Sequence, residues 1–569
     1  MKISLNGTWH LSGGPAIEST TGIVPGSVYG DLLAAGLIKD PFDQDNEYEV
    51  RDLMNHDYCY TRDFVIDDDP LCMHPFLVCD GIDTLAEIRI NDILIGTTDN
   101  MHRRWRFDIA MALRTGVNHI EVLLHSCLAF IREKNAACST DFFQAGDAVR
   151  GFIHLRKGSS MFGWDWGPQL PDAGIWRDIA IDLVDTAYLE NVHIRQEHQA
   201  DGAVAIRMVI GTVILGNADS LSLEVVIKDP NDAIIDVSSL AITGLDVFSQ
   251  TLIHDAQRWY PVGYGEQPLY TVIVFLKDGG NVKDAKTLRI GLRDIHVKRE
   301  NDAWGQSFTF VCNGIEIFVK GADYIPEDNL LGRTSTAKTR ALLTAAREAN
   351  HNMVRVWGGG IYPADAFYDS CDELGLLVWQ DLMFACAVYD MDDAAWVATM
   401  KAEIADNLQR IRHHACIAII CGNNENEVAI ADWGVPNQAI SKRHYIKQYL
   451  ETIRPIVEED FPDILYWPSS PSSGGTTFDR PNADGSGDMH YWGVWHNNEP
   501  IAYYRKYFPR FMSEFGIQSF PSLKTVKSFA RDADLNIFSY IMEQHQKNKT
   551  ANDKILNYVG KMFRYPKDF

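Results

Sequence analysis

No run of about eighteen consecutive apolar residues occurs anywhere in this 569-residue chain, which excludes a helix built to cross a bilayer. The first residues, Met1-Lys2-Ile3-Ser4-Leu5-Asn6-Gly7, pass straight into strand-like sequence without a signal-peptide core, so a soluble, cytoplasmic protein is the expectation. Basic side chains are in short supply, 52 against 77 acidic ones. The formal charge of −25 opposes binding to nucleic acid or an anionic membrane and favours a neutral or cationic partner. The ten cysteines include no CxxC pair and no His–Cys cluster, and several sit in apolar runs such as Leu77-Val78-Cys79 and Ile419-Ile420-Cys421. Buried free thiols are expected rather than disulfides or zinc. No GxGxxG or Walker-type loop, low-complexity tract or solenoid repeat is present, and neither a cofactor nor a metal is expected. Aromatic residues are abundant: 14 Trp, 26 Phe and 22 Tyr supply surfaces on which the apolar face of a sugar ring stacks, although most aromatics serve cores.

Three regions follow one another. Residues 1–185 read as short β segments broken by turns. One example is Leu85 to Ile90 and Ile93 to Ile95 around Asn91-Asp92, a hairpin signal; Pro75 to Cys79 and His119 to Leu124 are further strands, and almost nothing has a long helical period. A β-sandwich fits. Residues 186–297 repeat the pattern with Ala203 to Ile210, Leu221 to Ile227 and Leu269 to Leu276, at the size of an immunoglobulin-like sandwich. From 298 to 569 helices alternate with short buried strands. Thr334-Ser335 caps a helix, Met353 to Trp357 is strand-like, Gly375 ends a helix over Ala364 to Leu374, and a helix from Ala394 to Arg412 precedes Ile417 to Cys421. Polar and aromatic residues gather at the carboxyl ends of several strands, which favours a (β/α)8 barrel over a doubly wound sheet.

Two glutamates stand out. Glu425 follows the apolar strand Ile417 to Cys421 within Gly422-Asn423-Asn424-Glu425-Asn426-Glu427, and Glu514 ends a short strand in Arg510-Phe511-Met512-Ser513-Glu514-Phe515-Gly516. A lone Glu ordinarily caps a helix or pairs with an arginine. Two at the ends of separate barrel strands form the minimum set for glycoside hydrolysis, with Glu427 a competitor expected to point away from Glu425. A third segment, Gly163-Trp164-Asp165-Trp166-Gly167-Pro168, combines stacking surfaces with a carboxylate that can accept sugar hydroxyls; it could equally be an edge loop whose tryptophans plug the sandwich. In alternating geometry at least one of these three side chains must face outward.

Together with Lys320-Gly321-Ala322-Asp323-Tyr324-Ile325-Pro326 and Val354-Arg355-Val356-Trp357-Gly358-Gly359-Gly360, these segments occur in order across nearly the whole chain, and the sequence resembles the β-mannosidases of glycoside hydrolase family 2. The resemblance implies a sugar-binding-like jelly roll, an immunoglobulin-like sandwich and a catalytic TIM barrel. It implies retaining, exo-acting removal of terminal β-mannose by double displacement, with a β-mannoside as the small-molecule or oligosaccharide partner. Glu425 would be the general acid/base, Glu514 the nucleophile and Asn424 the contact to the sugar 2-hydroxyl. Trp164, Asp165 and Trp166 would close the terminal-sugar pocket, walled by Trp357 and Trp433. Two features depart from the family. Asp323 stands where asparagine is usual, and the chain stops at Phe569 soon after Glu514, where similar enzymes continue, so the expectation is a barrel incomplete at its carboxyl end, with Tyr565 to Phe569 as an interruption. Such a barrel would expose strand edges. Competing readings are a family-2 β-galactosidase, β-glucuronidase or endo-β-mannosidase, and a non-catalytic carbohydrate-binding protein; the sequence does not set the oligomeric state.

Overall fold

The computed structural model describes residues 1–15, 17–67, 73–217, 219–475 and 477–565; Cys72 and the terminal residues 566–569 lie outside it. The amino-terminal unit is a sandwich of a six-stranded sheet, with Gly7–Gly13, Tyr58–Ile66 and Gly116–Leu124 near its centre, and a four-stranded sheet containing Ile179–Val184 and His74–Cys79. The Asn91-Asp92 turn joins Leu85–Ile90 to Ile93–Asp99 in an antiparallel hairpin, both residues taking the positive φ that such a tight turn demands (49° and 66°). A helix over Cys127–Ala137, capped by the Ser126 hydroxyl, departs from the all-strand expectation. It buries only Cys127, Leu128 and Ile131, too short an apolar stripe to register as a helical period.

Strand Ala187–His198 opens the second unit, three strands packed on four, with its own apolar core around Ile206, Leu223, Val225 and Val274. The sandwich and the third unit, in contrast, share one continuous core. Trp9, Tyr60 and Ile120 belong to the same cluster as Trp379, Ile420 and Trp467.

That third unit holds seven parallel strands among the described residues: Gly321–Tyr324, Met353–Val356, Leu377–Asp381, Ile417–Cys421 and Tyr466–Trp467 in one sheet, then the pair Met489–Tyr491 and Met512–Phe515. The inner strands are fully buried. The first strand is exposed over Gly321–Asp323, and near the seventh Phe515 and Ile517 are exposed. Ser335 caps the helix Thr336–Glu348, and Gly375, at φ 71°, ends Asp365–Leu374. Among the described residues no helix is long and apolar enough to cross a membrane, and the nine cysteines are free thiols, seven of them buried.

Two seams hold the first sandwich to the barrel. In one, Arg156 forks onto Glu403 (Nε–Oε2 2.7 Å, Nη2–Oε1 2.6 Å), Asn100 donates to the same carboxylate at 2.9 Å, and Arg156 stacks on Phe384. In the other, the segment 529–548 lies along residues 43–48: Arg531 forks onto Asp43, Tyr540 donates to Asp45, Lys547 pairs with Glu47, and Tyr48 donates to Gln544.

Candidate active site

Glu425 begins the helix Asn426–Asp432 yet makes no capping bond. Its backbone sits at φ 64°, a left-handed conformation held by its N–H on Ser470 O at 2.7 Å and by Asn423, whose side chain ties the Asn426 N–H to Ser469. A side chain freed from capping at such a turn is available to the barrel mouth. His490 Nδ1 lies 2.8 Å from Glu425 Oε1 and 3.4 Å from Glu514 Oε2, and the nearest carboxylate oxygens of the two glutamates lie within 4.8 Å of each other. That is close to the spacing of about 5–5.5 Å of retaining glycosidases and well short of the inverting range of about 6.5–9.5 Å.

Glu514 does pair with an arginine, and more besides. Arg355 Nη1 donates to Glu514 Oε1, and Trp492 Nε1 donates to Oε2 at 3.0 Å. Burial opposes ionisation here, but the charges of His490 and then Arg355 outweigh it and hold the Glu514 pKa below its ordinary value. Arg355 itself is locked: Asp381 takes Nη2 at 2.8 Å and Nε at 3.3 Å, and Asp381 is fixed in turn by Trp379 Nε1 and the Gly358 N–H. Asp323 shares Nη1 of Arg355 with Glu514, at 3.2 Å.

Asn424 accepts from Arg355 Nη2 at 2.8 Å through Oδ1, which turns its Nδ2 toward Glu425 Oε2 (3.3 Å). Cys386 Sγ also donates to Glu425 Oε2, at 3.3 Å. Glu427 points elsewhere, accepting from the Phe478 N–H and Tyr445 hydroxyl, and is a structural residue.

The Trp-Asp-Trp loop does not plug the sandwich. Gly163 adopts φ 107°, where a Cβ would meet Gln169 Cγ at 2.5 Å, and paired hydrogen bonds between Trp164 and Gly167 close the turn. Both rings meet Trp357 of the barrel edge-on, Trp164 at 4.9 Å and Trp166 at 5.5 Å. Asp165 is half-buried and accepts from Asn548 Nδ2 at 3.2 Å. Burial is the main cause of its raised pKa, Asn548 opposes it, and Glu425 is among the charges it feels. Trp433 stands apart: it is half-exposed, with its ring edge-on to Phe143 and no ring contact to the other three tryptophans among the described residues.

Among the described residues three clusters of possible ligand atoms are compact enough for a metal: Asp372 with His414 and Cys416, Asp390 with Asp392 and His444, and Glu425 with His490 and Glu514. Each is already knit by hydrogen bonds or ion pairs. A cavity of about 350 Å³ lies between the second unit and the barrel, but its carboxylates are of mixed company with Arg195, Arg293 and Arg412, and Asp460 is paired to Arg412.

A carboxylate pair at the carboxyl ends of parallel barrel strands, fronted by a β-sandwich loop whose two tryptophans meet a third from the barrel, is the construction of a glycoside hydrolase. Family models for the "Glycosyl hydrolase 2 galactose-binding domain-like" unit and for "Glycosyl hydrolases family 2" match residues 9–177 and 187–293. The chain is 30% identical to β-mannosidase of Bos taurus (100% of this chain, 67% of that one) and 32% identical to β-mannosidase B of Aspergillus clavatus (96% and 65%). A β-D-mannosidase structure from Dictyoglomus thermophilum superposes with TM-score 0.93 at 33% identity, over 100% of this chain and 69% of that one. The chain belongs to the β-mannosidases of glycosyl hydrolase family 2, and spans about two thirds of the length of the curated relatives it matches. An exo-chitosanase from Amycolatopsis orientalis, at 17% identity and TM-score 0.66, shares the fold.

Sequence reasoning passed over Arg355, Asp381, Cys386, His490, Trp492 and Asn548. A charged residue inside Met-Val-Arg-Val-Trp, and a histidine after Asp488-Met489 where a strand opens onto the barrel mouth, are the signals that could have found the first and the fourth.

Proposed function

We propose that this chain is a retaining, exo-acting β-mannosidase. The observation that carries the reading is the Glu425–Glu514 pair, within 4.8 Å and bracketing one imidazole nitrogen. Glu514, ionised and aimed by Arg355 and Trp492, attacks the anomeric carbon. Glu425 protonates the departing oxygen, then removes a proton from the water that releases the sugar. Asn424 Nδ2, oriented by the Arg355 bond to its Oδ1, is placed to donate to the neighbouring hydroxyl. Trp164, Trp166 and Trp357 form an aromatic wall, and Asp165 takes hydroxyls at the pocket's closed end, which leaves room for a terminal sugar only. A single Asp165 carboxylate and three tryptophans at that end favour a neutral hexose over an anionic uronic acid.

The test is a panel of 4-nitrophenyl glycosides with the stereochemistry followed by NMR. Release from the β-mannoside with retained configuration, lost on Glu514→Gln, is expected. Preferential turnover of the galactoside or glucuronide, inversion, or mannose binding without turnover by the unaltered chain would each overturn the reading.

A further inference from the structure

Among the described residues His490 is the one buried titratable group that touches both carboxylates, and the hydrogen bonds behind it determine which of its nitrogens carries a proton. Asp488 is fully buried and accepts from four donors: Trp467 Nε1 (2.7 Å) and the Ser472 N–H (2.9 Å) at Oδ1, and the hydroxyls of Ser470 and Ser513 (both 2.6 Å) at Oδ2. A carboxylate taking four donors has no proton to give. The Ser470 hydroxyl therefore spends its only proton on Asp488, and toward His490 Nε2, 3.0 Å away, it can only accept. Nε2 must carry hydrogen. Asn482 clamps the His490 backbone at both N–H and C=O (2.9 Å each), so the ring cannot drift from this register.

With Nε2–H fixed, Nδ1 faces Glu425 Oε1 at 2.8 Å with either a lone pair or a proton, and a proton is required for that contact, because two bare acceptors would repel. We propose that the general-acid proton is stored on the His490 Nδ1–Glu425 Oε1 pair, with Asp488 and Ser470 acting as positioning residues that fix the tautomer. This rests on the assignment of Glu425 as the acid. In the first step the Nδ1–H bond breaks as the Glu425 O–H bond forms, and Glu425 passes that proton to the departing oxygen. In the second, the proton that Glu425 takes from water returns to Nδ1, so the pair ends as it began. The charges facing the ring are Glu425 and Glu514 in front, Arg355 and Asp323 beyond Glu514, and Asp488 behind Ser470. Burial disfavours the imidazolium, but Glu514 first and then Glu425 outweigh burial and Arg355, and the His490 pKa is raised.

The decisive measurement needs no turnover: long-range proton–nitrogen NMR of the full chain carrying 15N-histidine, with His490 assigned by difference against His490→Asn. Protonated Nε2 near neutral pH is expected; a neutral ring protonated at Nδ1 alone overturns the proposal. Kinetics supply the second arm. In His490→Asn the alkaline limb of kcat/KM should move about one unit toward acid, since the last proton loses its better base. Activity should fall on the order of 100-fold on a methyl β-glycoside but less than about tenfold on a 2,4-dinitrophenyl one, whose leaving group needs no proton. Ser470→Ala, which keeps the ring and the backbone contacts, should move the limb the same way by less, and serves if the asparagine variant does not fold. A limb unmoved in the folded variants overturns the proposal. An unaltered chain active on another β-glycoside would sink the mannosidase reading instead, and the same measurements would then be made on that substrate.

Discussion

The fork between Arg156 and Glu403 offers a sharp test of what welds the sandwich to the barrel. Both side chains are almost wholly buried, at 2% and 0% exposure, so neither charge has water to fall back on. Glu403→Leu removes the two guanidinium contacts at 2.7 and 2.6 Å and the acceptor for Asn100, leaving Arg156 with Met383 O and the face of Phe384. Stranding a buried charge costs about 3–5 kcal/mol, and Asn100, left with only its long bond to Thr399 O (3.4 Å), adds up to about 1 kcal/mol. The pair itself contributes far less than that loss implies, because its own desolvation nearly offsets its attraction. Arg156→Met combined with Glu403→Leu should therefore recover most of the loss, ending within about 2 kcal/mol of the unaltered protein. Urea unfolding followed by tryptophan fluorescence reads the difference, since tryptophans line the shared core of both units. The seam also steadies the pocket: Ser159 and Ser160 both bond Gly359 O, two residues from Trp357, so the single variant should raise KM as well. A loss below about 1 kcal/mol for Glu403→Leu, or a double variant no better than the worse single one, would refute this account.

Asp165→Ala should lower kcat/KM on a β-mannoside by an amount equivalent to about 2–4 kcal/mol, the scale for losing charged hydrogen bonds to two hydroxyls, with little change in stability; unaltered kinetics would return the loop to a structural role. Arg355→Lys keeps the charge but loses the fork that serves Asp381, Asn424 and Glu514 together, and kcat should fall about 100-fold or more, with a kcat within threefold or so of the parent counting against the lock. Burial raises the Asp172 pKa to about 7, against opposing bonds from Ser27, Tyr29 and Ala173. Its folded pKa exceeds its unfolded one, so its contribution is fully present below about pH 4 and is lost as pH rises through 7. Asp172→Asn keeps the Oδ1 acceptor and never ionises, so its Tm advantage should widen from pH 5 to pH 8; a constant difference would contradict the assignment.

That Glu425 and Glu514 come together was legible because a carboxylate just past an apolar strand of a parallel barrel is visible in one dimension, and strand ends of such a barrel converge. Asp165 was legible because three side chains on one loop cannot all face inward. Arg355 and His490 were not, because each is a single polar residue in a short strand: Arg355 meets Asp381 and Glu514 across 26 and 159 positions and His490 meets Glu425 across 65, contacts made only when the barrel curls. Trp433 is the expectation with least support among the ring contacts. Its place a short helix after Glu425 suggested a wall, and its ring meets Phe143 of the sandwich rather than the other three tryptophans.

The clasp between residues 43–48 and 529–548 also orders events in time. Asp165 meets Asn548 across 383 positions of chain, and Arg531 meets Asp43 across 488. A ribosome releasing this polypeptide delivers the sandwich first, with a Trp-Asp-Trp loop that has no Trp357 to rest on and a carboxylate with no amide to cap it. Until Trp357 and Asn548 have emerged, the nascent protein therefore carries an aromatic edge and a carboxylate that lack their barrel partners. Chaperone dependence should concentrate in that interval, and contacts of such long span make the closing step slow compared with the folding of the second sandwich, whose strands find their partners nearby.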